Sequence, residues 1–197
     1  MKKMTLINKM KLGKIRIIGG KWKGKKLSFH LDSSLRPTPD RAKEMIFNWL
    51  GQDLVDLNCL DLFSGTGAMG LESLSRGCKK VFFVEKDTKT FKKLKENLSV
   101  LDIENKIELF NKDCLDWLRK PCQGEKFDVI FVDPPFNKGL AKKIFFLLDK
   151  NNYLHKDTII YLETEKNLDI DFLLESHQIF KEKSFGEKSY RLIKRLF

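Results

Sequence analysis

Cys59-Leu60-Asp61-Leu62-Phe63-Ser64-Gly65-Thr66-Gly67-Ala68-Met69-Gly70 is the stretch on which the fold turns. Residues 59–63 form a short apolar run of strand length, and residues 68–76 have helical spacing that closes at Gly77. Gly65, Gly67 and Gly70 satisfy G-x-G-x-x-G between the two. Three glycines at that spacing permit a tight turn, close approach of a ligand to the backbone and close packing of the helix on its strand. Taken alone the motif allows NAD as readily as another adenosine cofactor.

Outward from this unit, strands and helices alternate. Residues 80–84 read as a strand ending in Glu85, 88–101 as a helix and 106–110 as a strand leading to Asp113. A short helix over 114–119, a strand over 127–132, a helix over 138–148 and a strand over 158–162 follow. The order βαβα predicts a parallel sheet with right-handed crossovers. The end differs: residues 178–185 and 190–197 flank Gly186-Glu187 as an antiparallel hairpin. Near the start, residues 15–29 give two strand-like pieces around Gly19-Gly20, a small hairpin with basic side chains and Trp22 at its exposed edge. Trp22 suits stacking on a base and filling of core equally. Thr38 is placed as a helix N-cap, Pro39 as the first helical residue and Asp40 in the first turn. Ala42, Met45, Ile46, Trp49 and Leu50 then carry an apolar face that Gly51 ends.

Composition narrows the class. The 197 residues are 42% hydrophobic with 16 Phe, enough for one core and an appendage. No apolar run reaches the length of a membrane span. The basic start, Met1-Lys2-Lys3-Met4, is not followed by the apolar segment of a secretory leader, so a cytoplasmic location is expected. Cys59, Cys78, Cys114 and Cys122 form no C-x-x-C pair, and the three histidines are scattered, so neither a metal nor a redox dithiol is expected. The net charge of +11 is lopsided: residues 1–50 hold 13 Lys/Arg against 3 Asp/Glu, and the remainder 25 against 24. A polycationic end on a nearly neutral body points to a polyanionic partner. Arg36 and Arg41 are a candidate anion clamp beside Thr38.

Asp133-Pro134-Pro135-Phe136 carries the chemistry. It follows the apolar run 127–132, at the strand end where open α/β sheets bind ligands. The prolines stiffen the turn and fix the directions of a carboxylate and backbone carbonyls. Such acceptors, with an aromatic ring beside them, suit a flat heterocycle bearing an exocyclic NH2. At its ordinary pKa, Asp133 would be ionised near neutral pH. Glu85, 18 residues beyond Gly67, can accept both ribose hydroxyls of an adenosine. Asp61 is an acid placed just ahead of the loop. Asp113 can bind an adenine amine, or cap the helix that starts beside it.

The form Asp61-Leu-Phe-Ser-Gly-Thr-Gly67 resembles class I methyltransferases that use S-adenosylmethionine. Arg16-Ile-Ile-Gly-Gly-Lys-Trp-Lys-Gly-Lys-Lys-Leu27, Leu35-Arg-Pro-Thr-Pro-Asp-Arg41, Phe47-Asn-Trp-Leu50, the extended glycine loop to Glu72 and Phe185-Gly-Glu-Lys-Ser-Tyr-Arg191 all resemble the RsmD family, bacterial 16S rRNA guanine-N2 methyltransferases. The resemblance runs from about Ile15 to the C-terminus. It implies an α/β, Rossmann-like class I S-adenosylmethionine-dependent methyltransferase fold, with a mostly parallel seven-stranded sheet, an antiparallel C-terminal hairpin and a small N-terminal β-hairpin extension. Residues 1–34 would form an RNA-contacting arm and residues 35–197 the methyltransferase domain. Asp133, Pro134 and Phe136 would be catalytic. Asp61, Phe63, Gly65, Gly67, Glu85, Asp113 and Cys114 would hold S-adenosylmethionine. Arg16, Lys21, Trp22, Lys23, Lys25, Lys26, Arg36, Thr38, Arg41 and Tyr190 would meet RNA. The implied partner is 16S rRNA of the 30S subunit, met by a monomer without membrane or metal. Lysine stands for arginine in much of the N-terminal segment, which keeps charge but loses bidentate geometry. Rival readings are adenine-N6 or cytosine-N4 methylation of DNA or other RNA, an NAD-linked oxidoreductase, and an RNA-binding assembly factor without catalysis.

Overall fold

A computed structural model describes residues 12–30, 38–124, 126–136 and 139–196. Its elements run β1 (Leu12–Arg16), β2 (Lys26–His30), α1 (Asp40–Leu50), β3 (Asn58–Asp61), α2 (Ala68–Ser75), β4 (Lys80–Val84), α3 (Thr88–Ser99), β5 (Ile107–Phe110), α4 (Cys114–Leu118), β6 (Val129–Val132), α5 (Leu140–Lys150), β7 (Ile159–Glu165), α6 (Asp171–Leu174), β8 (His177–Phe185) and β9 (Lys188–Arg195). Seven strands form one sheet in the order β5-β4-β3-β6-β7-β9-β8. β3 to β7 are parallel, and β9 and β8 complete one side antiparallel. The chain moves outward from β3 to β5, then returns to lay β6 on the other flank of β3. That reversal leaves the crevice in which such sheets bind ligands.

The period of two along each strand sorts the core into two layers. Cys59, Val81, Phe83, Val129, Phe131 and Tyr161 share one face with Ile46, Phe47, Met69, Leu71, Leu94 and Leu98 of α1, α2 and α3. Leu60, Val84, Ile130, Val132, Ile160 and Leu162 share the other with Leu118, Ile144, Phe145, Leu148 and Leu173 of α4, α5 and α6. No helix among the described residues is long and apolar enough to cross a membrane.

β1 and β2 pair as a separate hairpin. Ile15, Leu27 and Phe29 turn inward onto the first layer, while Lys14, Arg16 and Lys26 face out. Polar bonds fasten the hairpin to α2. The buried carboxylate of Glu72 accepts from the Ile18 amide at 2.9 Å and from Arg76 Nε at 2.9 Å. Ser75 Oγ accepts from the Trp22 amide at 2.9 Å and donates to the Gly19 carbonyl at 2.6 Å. Asn97 of α3 donates to the Ser28 carbonyl, and Lys43 of α1 donates to that of Arg16.

Several expectations shift in detail. Trp22 is half-buried and packs on the core instead of standing at an exposed edge. Pro39 stays extended (ψ 148°), so α1 begins one residue later than expected and Thr38 is not its cap. β6 starts at Val129, two residues late, and β3 stops at Asp61. The one-turn helix α6 was not foreseen, because four residues carry no readable period. The boundary expected between residues 34 and 35 lies outside the described residues, as does Arg36.

Glu72→Ala leaves Nε of the largely buried Arg76 guanidinium, and the Ile18 amide, without their acceptor. Breaking a buried pair in this way costs about 3 kcal/mol. The expected result in urea unfolding is a lower midpoint with an unchanged slope.

Candidate active site

The loop that follows β3 is held by its own polar groups. Ser64 Oγ donates to the carbonyls of Asp61 and Val84, at 2.9 and 3.2 Å, and the Gly67 amide donates to the Ser64 carbonyl at 2.6 Å. Gly67 adopts φ 78°, a left-handed conformation that glycine alone adopts without strain. A Cβ at Gly70 would lie 2.2 Å from Phe83 Cε1, so the third glycine is needed for α2 to approach β4. At the end of β4, Glu85 accepts from the Gly65 amide at 2.8 Å with one oxygen and from the Asp87 amide at 2.7 Å with the other. Each oxygen keeps a further acceptor position for a ligand hydroxyl.

A cleft of about 660 Å³ opens over these strand ends. Its walls are the glycine loop with Asp61, Phe63 and Gly65, the end of β4 at Glu85, then Asp113 and Cys114, the corner Asp133 to Phe136, Thr38 and Lys188. The glycine loop and the proline corner follow β3 and β6, adjacent strands at the point of reversal. Asp113 is the N-cap of α4, accepting from the Leu115 amide at 2.8 Å. The Cys114 thiol is pushed up to about 12, by burial first and then by the charge of Asp113, which keeps it unreactive.

Carboxylates dominate the electrostatics. Asp61 is 4% exposed and accepts from the Gly70 amide at 3.2 Å. Burial pushes its carboxyl up to about 7; the Gly70 amide opposes the shift and the charge of Glu85 adds to it. Burial also holds Asp133 well above the ordinary carboxylate range; Glu163 pushes the same way and Lys188 opposes. The expectation that Asp133 ionises at its ordinary pKa is therefore corrected: its half-buried carboxyl faces other acids across the cleft.

Glu163, Tyr161 and Lys188 were not among the expected site residues. Glu163 is fully buried near the end of β7, where it accepts from Tyr161 Oη at 2.7 Å and from Lys188 Nζ. The Lys188 ammonium stands 5.3 Å from the centroid of the Phe136 ring. A signal was present. Glu163 has the strand parity of Tyr161, so period two places it on the face that bears Asp61 and Asp133.

Besides Trp22, Arg36 and Thr38, the residues expected to meet RNA fall into three groups. Lys21, Lys23, Lys25 and Lys26 are exposed on the hairpin. Arg16 is exposed too but pairs with Asp40 at 2.8 Å, and the Arg41 guanidinium lies 5.0 Å from the Phe185 ring centroid. Tyr190 is 3% exposed; it lies opposite Glu163 on the neighbouring strand, and its hydroxyl is pushed up to about 12 by burial and then by Glu163. α2 begins in the cleft and ends at Ser75, which holds the hairpin turn. Eight residues of helix therefore separate the turn from the glycine loop by about 12 Å.

Residues 15–194 match the family model described as conserved hypothetical protein 95. The ribosomal RNA small subunit methyltransferase D of Haemophilus influenzae is 44% identical over 181 residues, which cover 91% of this chain and 93% of that one. Its namesake from Escherichia coli K12 is 38% identical over 183 residues, covering 93% and 91%. The chain belongs to the ribosomal RNA small subunit methyltransferase D family. A solved Escherichia coli structure described as a methyltransferase superposes with a TM-score of 0.82 at 38% identity, covering 93% of this chain and 98% of that one. A Thermus thermophilus 16S rRNA N2 G1207 methyltransferase, solved with AdoMet and guanosine, shares the fold at a TM-score of 0.69 and 22% identity, covering 94% of this chain and 50% of that one.

The residues present fit the family's cofactor, S-adenosylmethionine. A glycine turn brings backbone to the cleft, and Glu85 and Asp113 line it with carboxylate oxygens that hydroxyl and amine donors could use. Asp61 is a buried acid that a nearby cation would return to its ionised form.

Asp61 has a consequence for the unliganded protein. Its folded pKa of about 7 exceeds the value of an unfolded aspartate, so its contribution to stability is complete below about pH 4 and is lost as pH rises through 7. The loss amounts to about 4 kcal/mol. Asp61→Asn removes this dependence. Urea unfolding of the unliganded proteins at pH 4.5 and pH 8 is expected to show the variant losing less stability across the interval than the parent.

Proposed function

We propose that this chain transfers a methyl group from S-adenosylmethionine to the N2 amine of a guanine in the small-subunit ribosomal RNA, acting as a monomer with its cleft complete in one chain. One observation carries the reading: the corner Asp133 to Phe136 and the glycine loop line one cleft from adjacent strand ends. The names of the 44% and 38% identical relatives, both ribosomal RNA small subunit methyltransferases, support the RNA class.

Roles follow from placement. Asp61 attracts the ammonium of the cofactor, Glu85 accepts from its ribose hydroxyls and Asp113 from its adenine amine. Gly65 and Gly67 let backbone come close, while Phe63 and Cys114 give apolar walls. When bound, S-adenosylmethionine supplies a methyl group on a sulfonium that is primed to leave.

The remaining work falls to the chain. The acceptor amine is a poor nucleophile because its lone pair is delocalised into the ring. The Asp133 carboxylate and the Pro134 carbonyl accept its two hydrogens, which favours a pyramidal nitrogen with the lone pair directed at the methyl. Those acceptors also stabilise positive charge growing on the nitrogen. Phe136 stacks the base once it has left its helix or loop. Fixing both reactants in line supplies much of the acceleration. Because burial raises the pKa of Asp133, its carboxylate is a stronger proton acceptor than an ordinary one, suited to taking the proton that the methylated amine sheds. Turnover should accordingly rise with pH as Asp133 ionises.

Asp133→Asn is expected to lower methyl transfer by at least about a hundredfold, the scale of a lost general base. Cofactor affinity by calorimetry should stay unchanged. The assay is incorporation of labelled methyl into small-subunit rRNA from cells lacking the gene, with mass mapping of the product. Turnover retained in the variant, or a methyl found on a base other than guanine, would refute the reading.

Replacing Lys21, Lys23, Lys25 and Lys26 together by Gln should weaken RNA binding. It should also flatten the plot of log affinity against log salt by about 0.7–0.9 for each phosphate that the hairpin no longer neutralises. Filter binding across a salt series measures both, and an unchanged slope removes the hairpin from the interface.

A further inference from the structure

The proline corner explains how an amine is gripped but not how a guanine is told from other amino bases. Adenine, cytosine and guanine all carry an exocyclic NH2. Guanine presents a carbonyl oxygen, O6, beyond an N1–H on the same edge as its reactive amine; adenine presents none, and cytosine's O2 lies beyond a bare N3. A site that prefers guanine to adenine therefore needs a fixed donor a short way from the amine acceptors.

Lys188 is placed to be that donor. It lines the cleft with Asp133, Pro134 and Phe136. Its ammonium carries three N–H groups, of which Glu163 engages one. Glu163 is fully buried and its other oxygen is held by Tyr161 Oη, so the carboxylate is a fixed anchor beneath the lysine. Offset-stacked rings sit with centroids about 4.5–7 Å apart. The ammonium lies over the Phe136 ring, 5.3 Å from its centroid, so a base that enters onto that ring with an offset meets the ammonium at its edge. The charge of Lys188 is felt by Asp133, so the amine acceptor and this donor belong to one electrostatic unit.

We propose that Lys188 reads the target base, donating a hydrogen bond to O6 of guanine while Asp133 and Pro134 hold N2. The inference rests on the guanine reading above and adds its specificity-determining residue. A side chain that instead only kept Asp133 ionised would act on every amino base alike, and its loss would be repaired at high pH.

The experiment uses small subunits reconstituted with 16S rRNA carrying either guanine or 2-aminopurine at the position that the wild-type protein labels. 2-Aminopurine keeps the 2-amine but lacks O6 and N1–H. The four combinations of wild type and Lys188→Met with the two RNAs form a cycle in which effects of N1–H cancel. Wild type is expected to favour guanine. Near neutral pH, Lys188→Met lowers turnover on both RNAs, because Asp133 loses the cation that favours its ionised form. At pH 9, which favours ionised Asp133 in both proteins, the variant should still lose roughly ten- to a hundredfold in kcat/KM on guanine, the size of a hydrogen bond to a charged donor, with little loss on 2-aminopurine. Lys188→Met combined with Glu163→Gln should show the same altered preference, which removes the objection that a stranded buried carboxylate distorts the site. Equal losses on both RNAs at pH 9, or guanine turnover restored there to the wild-type level, would overturn the role of Lys188 and leave the methyltransferase reading standing. Failure of the wild type to methylate either RNA would overturn both.

Discussion

Carboxylates crowded onto one face of the sheet, with few cations to offset them, are the constraint around which this structure is arranged. Asp61 ends β3, Asp133 follows β6 and Glu163 lies near the end of β7, three strands that are neighbours in the sheet. Period two puts all three on the face covered by α1, α2 and α3. Burial raises the pKa of Asp61 and of Asp133, and Glu163 and Asp61 both add to the shift at Asp133. Such a cluster works against stability in the empty protein, and functional sites commonly hold strain of this kind. It also makes the cleft a strong acceptor environment, suited to a ligand ammonium on one side and an aromatic amine on the other.

The topology supplies the one cation that the cluster needs. In a purely parallel sheet every strand begins at the edge remote from the ligand. β9 runs antiparallel to β7, so its first residue, Lys188, arrives at the ligand edge, opposite Glu165 and diagonal to Glu163. The C-terminal hairpin thus closes the sheet, delivers the lysine and places Tyr190 behind it. The Lys188–Glu163 pair is a charge interaction between β9 and β7 that a seventh parallel strand would not make.

Much of this was legible in the residues. Gly65, Gly67 and Gly70 announced the strand-turn-helix, and the packing of Gly70 against Phe83 is the close approach that its position requires. The alternation of elements gave the parallel core, and the Asp133 corner fell at a strand end beside the crevice. What stayed hidden depends on neighbours brought together from segments far apart in sequence. Asp133 looked like an ordinary acid, because nothing near it in sequence shows that Glu163 and Asp61 are its neighbours. Glu163 lies just past the run expected as a strand, and Lys188 sits beside the hairpin turn, so neither was singled out. Tyr190 was expected to meet RNA, yet the pairing of β7 with β9 buries it. Thr38 had every local mark of a helix cap and lines the cleft instead, since the extended Pro39 delays the helix by one residue.

The same logic assigns a geometry to the lopsided charge. The hairpin is bound to the far end of α2 through Glu72 and Ser75, about a helix length from the glycine loop. Its lysines therefore do not crowd the cleft, where they would compete with Lys188 for the carboxylates and pull Asp133 back toward an ordinary pKa. In the proposed reading a single nucleobase would fill the corner at Phe136, while successive phosphates of a nucleic-acid strand lie several ångströms apart. A polyanion reaching both places would then run across α2 and the hairpin for several nucleotides. Affinity and chemistry would be separated in space, with exposed lysines meeting backbone without regard to sequence and the proline corner meeting one base.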